Sequence, residues 1–314
     1  MMAALTDSGS FSDVDVPVCN TRPGLRYLCG MRAQNSLIRA AGRIKRRLSL
    51  YRVQLKFLVD IVLLRKGYVD FVCNICGCRC RSPLSAMTRE KPACYGCGST
   101  MRNRSVINAL SIALWDKPLA LTDYPLEKMR KGIGMTDSNN YAVPLTARLG
   151  YRNTYYHQEP KLDILNPNPS LRESADFILS SDVLEHVAPP VDKAFQNLYH
   201  LLRPGGVIVV TVPLAPDVLA KEHFPSLFDF HYESRSGNRV LINRTANDSY
   251  EEFRELVFHS GQGQTLEMRV FSVERLVAEL TNAGFSRIRV LDEDFPEFGI
   301  VWNSDKSVPV IAWK

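Results

Sequence analysis

Long apolar runs are missing from this 314-residue sequence. The stretch 57–64 is broken by Asp60, and Val207 to Val212 covers only six residues, whereas a helix needs about 20 apolar residues to cross a bilayer. Residues 1–15 carry Asp7, Asp13 and Asp15 and no apolar segment, which argues against a secretory leader. Acids are absent between positions 16 and 59, where ten Lys or Arg stand; positions 60–314 hold 29 basic and 30 acidic residues. The net charge of +6 therefore belongs to one arm, and the body is near neutral. No period repeats along the chain, which excludes solenoids and propellers. With 45% hydrophobic and 23% charged residues, the composition is that of an ordinary globular protein. The expectation is a cytoplasmic protein.

Residues 1–34 are rich in Ser, Asp, Gly and Pro without periodicity and read as a mobile tail. Between 35 and 66, Leu37, Ile44, Leu48, Tyr51, Leu55 and Leu58 fall at helical spacing among Arg and Lys, a basic amphipathic helix. Its apolar stripe either packs on the next segment or contacts a membrane surface or nucleic acid.

Cysteine is nearly confined to one segment: six of the eight lie between 73 and 97. Cys73, Cys76, Cys94 and Cys97 give C-x2-C-x17-C-x2-C, the spacing of two knuckles sharing one tetrahedral zinc ion. Gly77 and Gly98 follow the second cysteine of each pair and let the backbone turn beneath the metal. Disulfides are the alternative, disfavoured where thiols stay reduced. Four thiolates leave no open coordination position, so such a zinc ion is structural. Cys78 and Cys80 are spare thiols or alternative ligands. With the helix expected at Ser105 to Trp115, this module spans 67–115.

From 116 to 314 strands and helices alternate. Strands are expected at Lys131–Met135, Asn153–His157, Phe177–Ser181 and Val207–Val212, with helices at Asn140–Leu149 and Val191–Leu202. Alternation of this kind specifies a doubly wound α/β sheet. A helix at Val273–Ala283 and strands at Arg287–Leu291 and Val308–Trp313 close the chain.

The block Ala175 to Pro213 reads ADFILSSDVLEHVAPPVDKAFQNLYHLLRPGGVIVVTVP. It resembles the fourth strand, helix and fifth strand of class I S-adenosylmethionine-dependent methyltransferases, through Asp176, Ser180, Asp182 to His186, Leu202 and Pro204 to Gly206. The C-terminal order of helix, Gly284-Phe285, strand and strand is similar to the antiparallel closing hairpin of that Rossmann-like fold. Cys94 to Ser99 resembles the zinc ribbon that some members carry ahead of the catalytic domain.

The resemblance implies S-adenosylmethionine as cofactor. It places cofactor contacts at Gly132, Gly134, Asp137, Glu159, Asp163, Ser180, Ser181 and Asp182, with Glu159 the nearest acid for the ribose and Asp163 for the adenine amine. The glycine loop departs from the family: Lys131-Gly132-Ile133-Gly134-Met135-Thr136-Asp137 lacks the leading acid and the third glycine.

Residues 214–268 exceed any ordinary loop and read as a cap over the acceptor. They hold His223, His231, Tyr232, His259 and Glu267, and five basic against nine acidic residues. Neutral His suits a general base near pH 7, which makes His186 and His259 the catalytic candidates, while His223, His231, Tyr232 and Glu267 line the cap. The expected activity is O-methylation of a small molecule or glycan. Two rivals are a nucleic-acid methyltransferase using the ribbon and basic arm, and a non-catalytic adaptor retaining the fold.

Overall fold

The computed structural model describes residues 67–214, 221–235, 237–259, 265–302 and 307–314. The expected tail (1–34) and basic helix (35–66) lie outside the described residues.

The described chain begins with a hairpin, β1 (Tyr68–Val72) and β2 (Arg79–Pro83), that carries the first cysteine knuckle. Helix α1 (Met101–Trp115) follows the second knuckle. It starts at Thr100 and Asn103, whose side chains each accept from the other's backbone N–H in a capping box, a device contributing about 1 kcal/mol. Next come β3 (Glu127–Met135), α2 (Asn139–Arg148), β4 (Leu149–Thr154), β5 (Ala175–Ser181), α3 (Asp192–Leu201) and β6 (Leu202–Thr211). After an excursion of short strands, β7 (Lys221–Glu222) to β13 (Arg269–Val270), the fold resumes with α4 (Val273–Ala283), β14 (Arg287–Val290) and β15 (Val310–Trp313).

Six strands form the main sheet in the order β14-β15-β6-β5-β3-β4. The four from β4 to β6 are parallel, and β15 and β14 close the sheet antiparallel. This is the expected doubly wound α/β sheet with its closing hairpin. The second strand lies earlier than its expected position at Asn153–His157, because Gly150 to Thr154 register against Lys131 to Met135. Between β4 and β5 the chain makes only a short 3-10 turn at Pro169–Leu171, which leaves β4 at the sheet edge.

Alternation along the strands sorts two cores. Ile133, Met135, Ile178, Ile208, Val210 and Val310 pack with Phe195 and Leu198 of α3 and Leu276 and Leu280 of α4. On the opposite face Phe177, Leu179, Val207, Val209 and Ile311 pack with α1 and α2. Phe71, Ile75, Met87 and Ala93 belong to that second core. The cysteine-bearing segment is thus a layer of the domain, covering one face of its sheet.

The expected cap is built of short antiparallel pairs. Strands β8 (Asp229–Arg235), β9 (Asn238–Arg244) and β10 (Tyr250–Phe253) form a meander, β11 (Phe258–His259) pairs β12 (Thr265–Leu266), and β13 pairs β7. Phe224, Leu241, Leu266 and Met268 give it a small core of its own.

Candidate functional site

A groove opens at the carboxyl ends of β3, β4 and β5, where open α/β sheets bind ligands. It lies between Met135, Thr136, Thr154, Tyr155 and Tyr156 on one side and Leu162 to Leu165, Val183 and Val187 on the other. The third glycine of the family loop is replaced here by Thr136, yet its backbone stands at φ +59°. A β-branched residue in the left-handed region is strained by roughly 1–3 kcal/mol. The turn geometry of a glycine has been kept without the glycine.

Gly132 and Gly134 leave room for other side chains of the domain. A Cβ on Gly132 would meet the Phe177 ring, and one on Gly134 would meet the Tyr151 hydroxyl and an Asp137 carboxylate oxygen. Their bareness makes room for these side chains. Asp137, 6% exposed, accepts hydrogen bonds from the Tyr141 and Tyr151 hydroxyls and locks the turn between β3 and α2. Burial pushes its pKa up to about 6.

Of the expected cofactor residues, Asp163 lines the groove. Its carboxylate accepts from the Leu165 backbone N–H at 2.9 Å and the Asn166 amide at 3.3 Å, which shapes this wall. Glu159 is exposed, outside the groove wall, and accepts from the Lys161 backbone N–H at 3.0 Å. The carboxyl end of β4 presents Tyr155 and Tyr156 instead of an acid. Ser180 is buried, with no hydrogen-bond partner for its hydroxyl among the described residues.

Ser181 and Asp182 meet the cysteine-bearing segment. Arg102 donates to the Ser181 hydroxyl at 2.8 Å and pairs with Asp182 at 3.2 Å, and Arg89 pairs with the other Asp182 oxygen. Glu90 holds Arg102 from behind with contacts of 2.7 and 2.9 Å. Sequence reasoning missed both arginines: they stand 93 and 80 positions before Asp182, with no spacing to connect them.

Four of the six expected catalytic and cap residues come together. The turn after β5, Leu184 to His186, lies between two groove residues, Val183 and Val187. His186 Nδ1 donates to the Leu266 carbonyl at 2.9 Å, and its ring stands edge-on to His259 with centroids 5.0 Å apart. Glu267 accepts from His223 Nε2 at 3.0 Å, and its other carboxylate oxygen stands 3.0 Å from His259 Nε2. Burial pulls the His186 pKa below the usual histidine range. His231 lies elsewhere, exposed beside Glu233, and Tyr232 packs at a tilt near Phe258 in the cap.

The string Thr265 to Arg269 explains how this arrangement is held. Leu266 accepts from His186, Glu267 receives two histidines, and Met268 N–H donates to the Glu185 carbonyl at 2.8 Å. Arg269, 2% exposed, donates to the carbonyls of Leu184 and Val187 at 2.7 and 2.6 Å and to Glu222 at 2.8 Å. Leu266, Met268 and Arg269 thus tie the cap to the turn after β5, and Glu267 binds two histidines within the cap.

The cysteines form a separate cluster. Cys73, Cys76, Cys94 and Cys97 place their sulfurs within 4.8 Å of one another. Matching turns hold them: Gly77 N–H donates to Cys73 and Gly98 N–H to Cys94, with φ of +73° and +72° at the two glycines. Cys80, 3.7 Å from Cys94, lies at the edge.

The family model described as "Methyltransferase domain" matches residues 114–290. No curated protein matches the chain. Among solved structures, it is similar to 1,6-didemethyltoxoflavin-N1-methyltransferase of Burkholderia thailandensis (12% identity, 67% of this chain and 78% of that one, TM-score 0.37). It is also similar to an amino pentose methyltransferase of Micromonospora echinaspora (12%, 69% and 92%, TM-score 0.37) and to a sugar N-methyltransferase of Streptoalloteichus (10%, 59% and 80%, TM-score 0.35). The family match spans more than half of the sequence and both sheet faces, so the chain belongs to the methyltransferase-domain family and is an S-adenosylmethionine-dependent methyltransferase.

Proposed function

We propose that the protein transfers a methyl group to a hydroxyl of a small molecule or glycan, held between the cap and the turn Leu184 to His186. The observation that carries this reading is the convergence of His186, His223, His259 and Glu267 beside the groove. S-adenosylmethionine, when bound, supplies a methyl group already activated on sulfur. Met135, Leu162, Ile164, Leu165 and Val183 offer apolar walls for an adenine ring, Asp163 an acceptor for its amine, and Tyr155 and Tyr156 a polar edge. Gly132, Gly134, Asp137, Ser180, Ser181 and Asp182 act indirectly, by shaping the turns after β3 and β5.

The protein's own part is to orient the acceptor, exclude water and take its proton. His186 and His259 are the bases this reading assigns. The lowered pKa of His186 keeps its ring neutral near pH 7, and the carbonyl partner on Nδ1 leaves Nε2 unprotonated in that ring. The acidic balance of the cap disfavours a polyanionic acceptor such as RNA or DNA.

A structural zinc ion held by Cys73, Cys76, Cys94 and Cys97 belongs to the same proposal. Sulfurs bound tetrahedrally at about 2.3 Å lie about 3.8 Å apart; the separations are 3.7 Å for Cys73–Cys97 and 3.5 Å for Cys76–Cys94, against about 2.05 Å for a disulfide. Arg104 adds support. Its guanidinium is fully buried, bonded to the carbonyls of Ser99, Phe298 and Gly299 and to no carboxylate among the described residues, beside cysteines whose thiolate charge would balance it.

The test is a transfer assay with labelled cofactor against RNA, DNA and a metabolite or glycan extract. Labelling of the extract is expected, and labelling of nucleic acid alone would overturn the acceptor assignment. His259→Ala should abolish turnover while leaving cofactor binding intact.

A further inference from the structure

Glu185 has no role in general-base chemistry, yet its placement is costly. The residue is 1% exposed, and neither carboxylate oxygen has a hydrogen-bond partner among the described residues. A buried carboxyl group with neither oxygen hydrogen-bonded stays unsatisfied unless a ligand completes it. The oxygen Oε1 lies 3.7 Å from His186 Nε2. One ligand-type atom each from Glu185, His186 and His259 falls within 4.8 Å of the other two.

From this cluster we infer that Glu185, His186 and His259 bind a divalent first-row metal ion at the junction of the cap and the turn after β5. Two histidines and one carboxylate form a donor set suited to Mn(II), Fe(II) or Zn(II), and three protein ligands leave positions open to acceptor oxygens. A metal-binding histidine is oriented by contact of its other ring nitrogen with a carbonyl or carboxylate, and each of the two has such a contact. His186 Nδ1 donates to the Leu266 carbonyl, freeing Nε2 for the ion. His259 Nε2 meets Glu267 at 3.0 Å, freeing Nδ1. Adjacent residues Leu266 and Glu267 thus orient ligands that are 73 positions apart.

The location matches the use. Val183 and Val187, flanking the ligand turn, line the groove, so an acceptor oxygen on the ion would lie beside it. A metal ion lowers the pKa of a bound hydroxyl and so prepares it for methylation. Proton removal would then pass from His186 and His259 to the Glu267–His223 pair. This use rests on the methyl-transfer reading; the binding of the ion does not.

The experiment titrates the full-length protein, briefly chelated to remove loosely held metal, with Mn2+, and follows the free-ion paramagnetic resonance signal. Mn2+ is chosen because thiolate knuckles disfavour it. One ion per chain is expected, with Kd raised at least tenfold in Glu185→Gln and in His259→Asn. His259→Asn guards against misfolding, since His259 lies in the cap at its margin and Glu185 in its interior. No uptake by the wild type, or equal affinity in both variants, would overturn the site. Titration with S-adenosylhomocysteine is run in parallel: binding of that product without Mn2+ defeats the metal site alone, and Mn2+ uptake without it defeats the methyltransferase reading alone.

Discussion

The cysteine cluster and the Glu185–His186–His259 cluster occupy opposite ends of one scale. The first is closed: four sulfurs, two matching turns, and a buried layer shared with Phe177, Leu179 and Val209 of the sheet. The second is half-open, between a turn and a cap, with a carboxylate left unpartnered and His259 partly exposed. A closed site holds a fold together, and an open one does chemistry. Their different partners also show how tightly each is bound to the domain. Cys73 and Cys94 sit in the core shared with the sheet, whereas His259 depends on a cap with a core of its own.

If the cysteine layer supports the sheet, removing a ligand has the largest effect. Cys94→Ser should abolish zinc binding and lower the stability of the whole domain by about 4 kcal/mol or more. Metal analysis and thermal unfolding check this together; unchanged zinc content, or loss of the ion without loss of stability, would separate the layer from the domain. An excursion confined to the cap should cost far less.

The turn after β3 lies between these extremes. Gly134→Ala drives a Cβ into the Tyr151 hydroxyl and Asp137, an overpacking cost of about 1–3 kcal/mol. Chemical denaturation measures it, and a neutral result would contradict the packing described.

The pH profile sharpens the same region. Asp137 is raised by burial from 3.8 to about 6 in the folded protein. Between those values the native state binds more protons than the unfolded chain, so stability falls as pH rises from about 4 through 6, by up to about 3 kcal/mol. Asp137→Asn should flatten that slope. Denaturation curves at pH 4, 5, 6 and 7 provide the comparison, and an unchanged slope would assign it to other groups.

The smallest expected effect is at the amino terminus. A chain beginning at residue 67 should bind S-adenosylhomocysteine within about twofold of the full-length protein, because every groove and cluster residue found among the described residues follows it. A larger loss by calorimetry would tie the basic arm to the folded domain.

Much of the scaffold was legible before any coordinates. Val273–Ala283 is expected as a helix ended by Gly284, and the helix has those bounds; the structure adds Ser272 capping its start and Gly284 in the left-handed region. Strand β5 follows from its apolar run, and the closing hairpin from apolar runs after Gly284. The second strand was misplaced because Asn153–His157 looks as extended as its neighbours, while pairing with β3 selected Leu149–Thr154. Glu185 was visible within Leu-Glu-His, but nothing local says that it is buried without a partner.

Sequence by itself determined what depends on neighbours in the chain: the periodicity of strands and helices, the cysteine spacing, and the residues of the turn after β5. Only tertiary structure decided what depends on distant segments meeting. It filled the space above Gly132 and Gly134 with Phe177 and Tyr151, and brought Arg89 and Arg102 onto Asp182. It also set Leu266 and Glu267 behind His186 and His259. The physical reason is range. Backbone hydrogen bonds and knuckle turns close over a few residues, whereas burial of a charge or orientation of an imidazole is set by packing between segments that the linear order keeps apart.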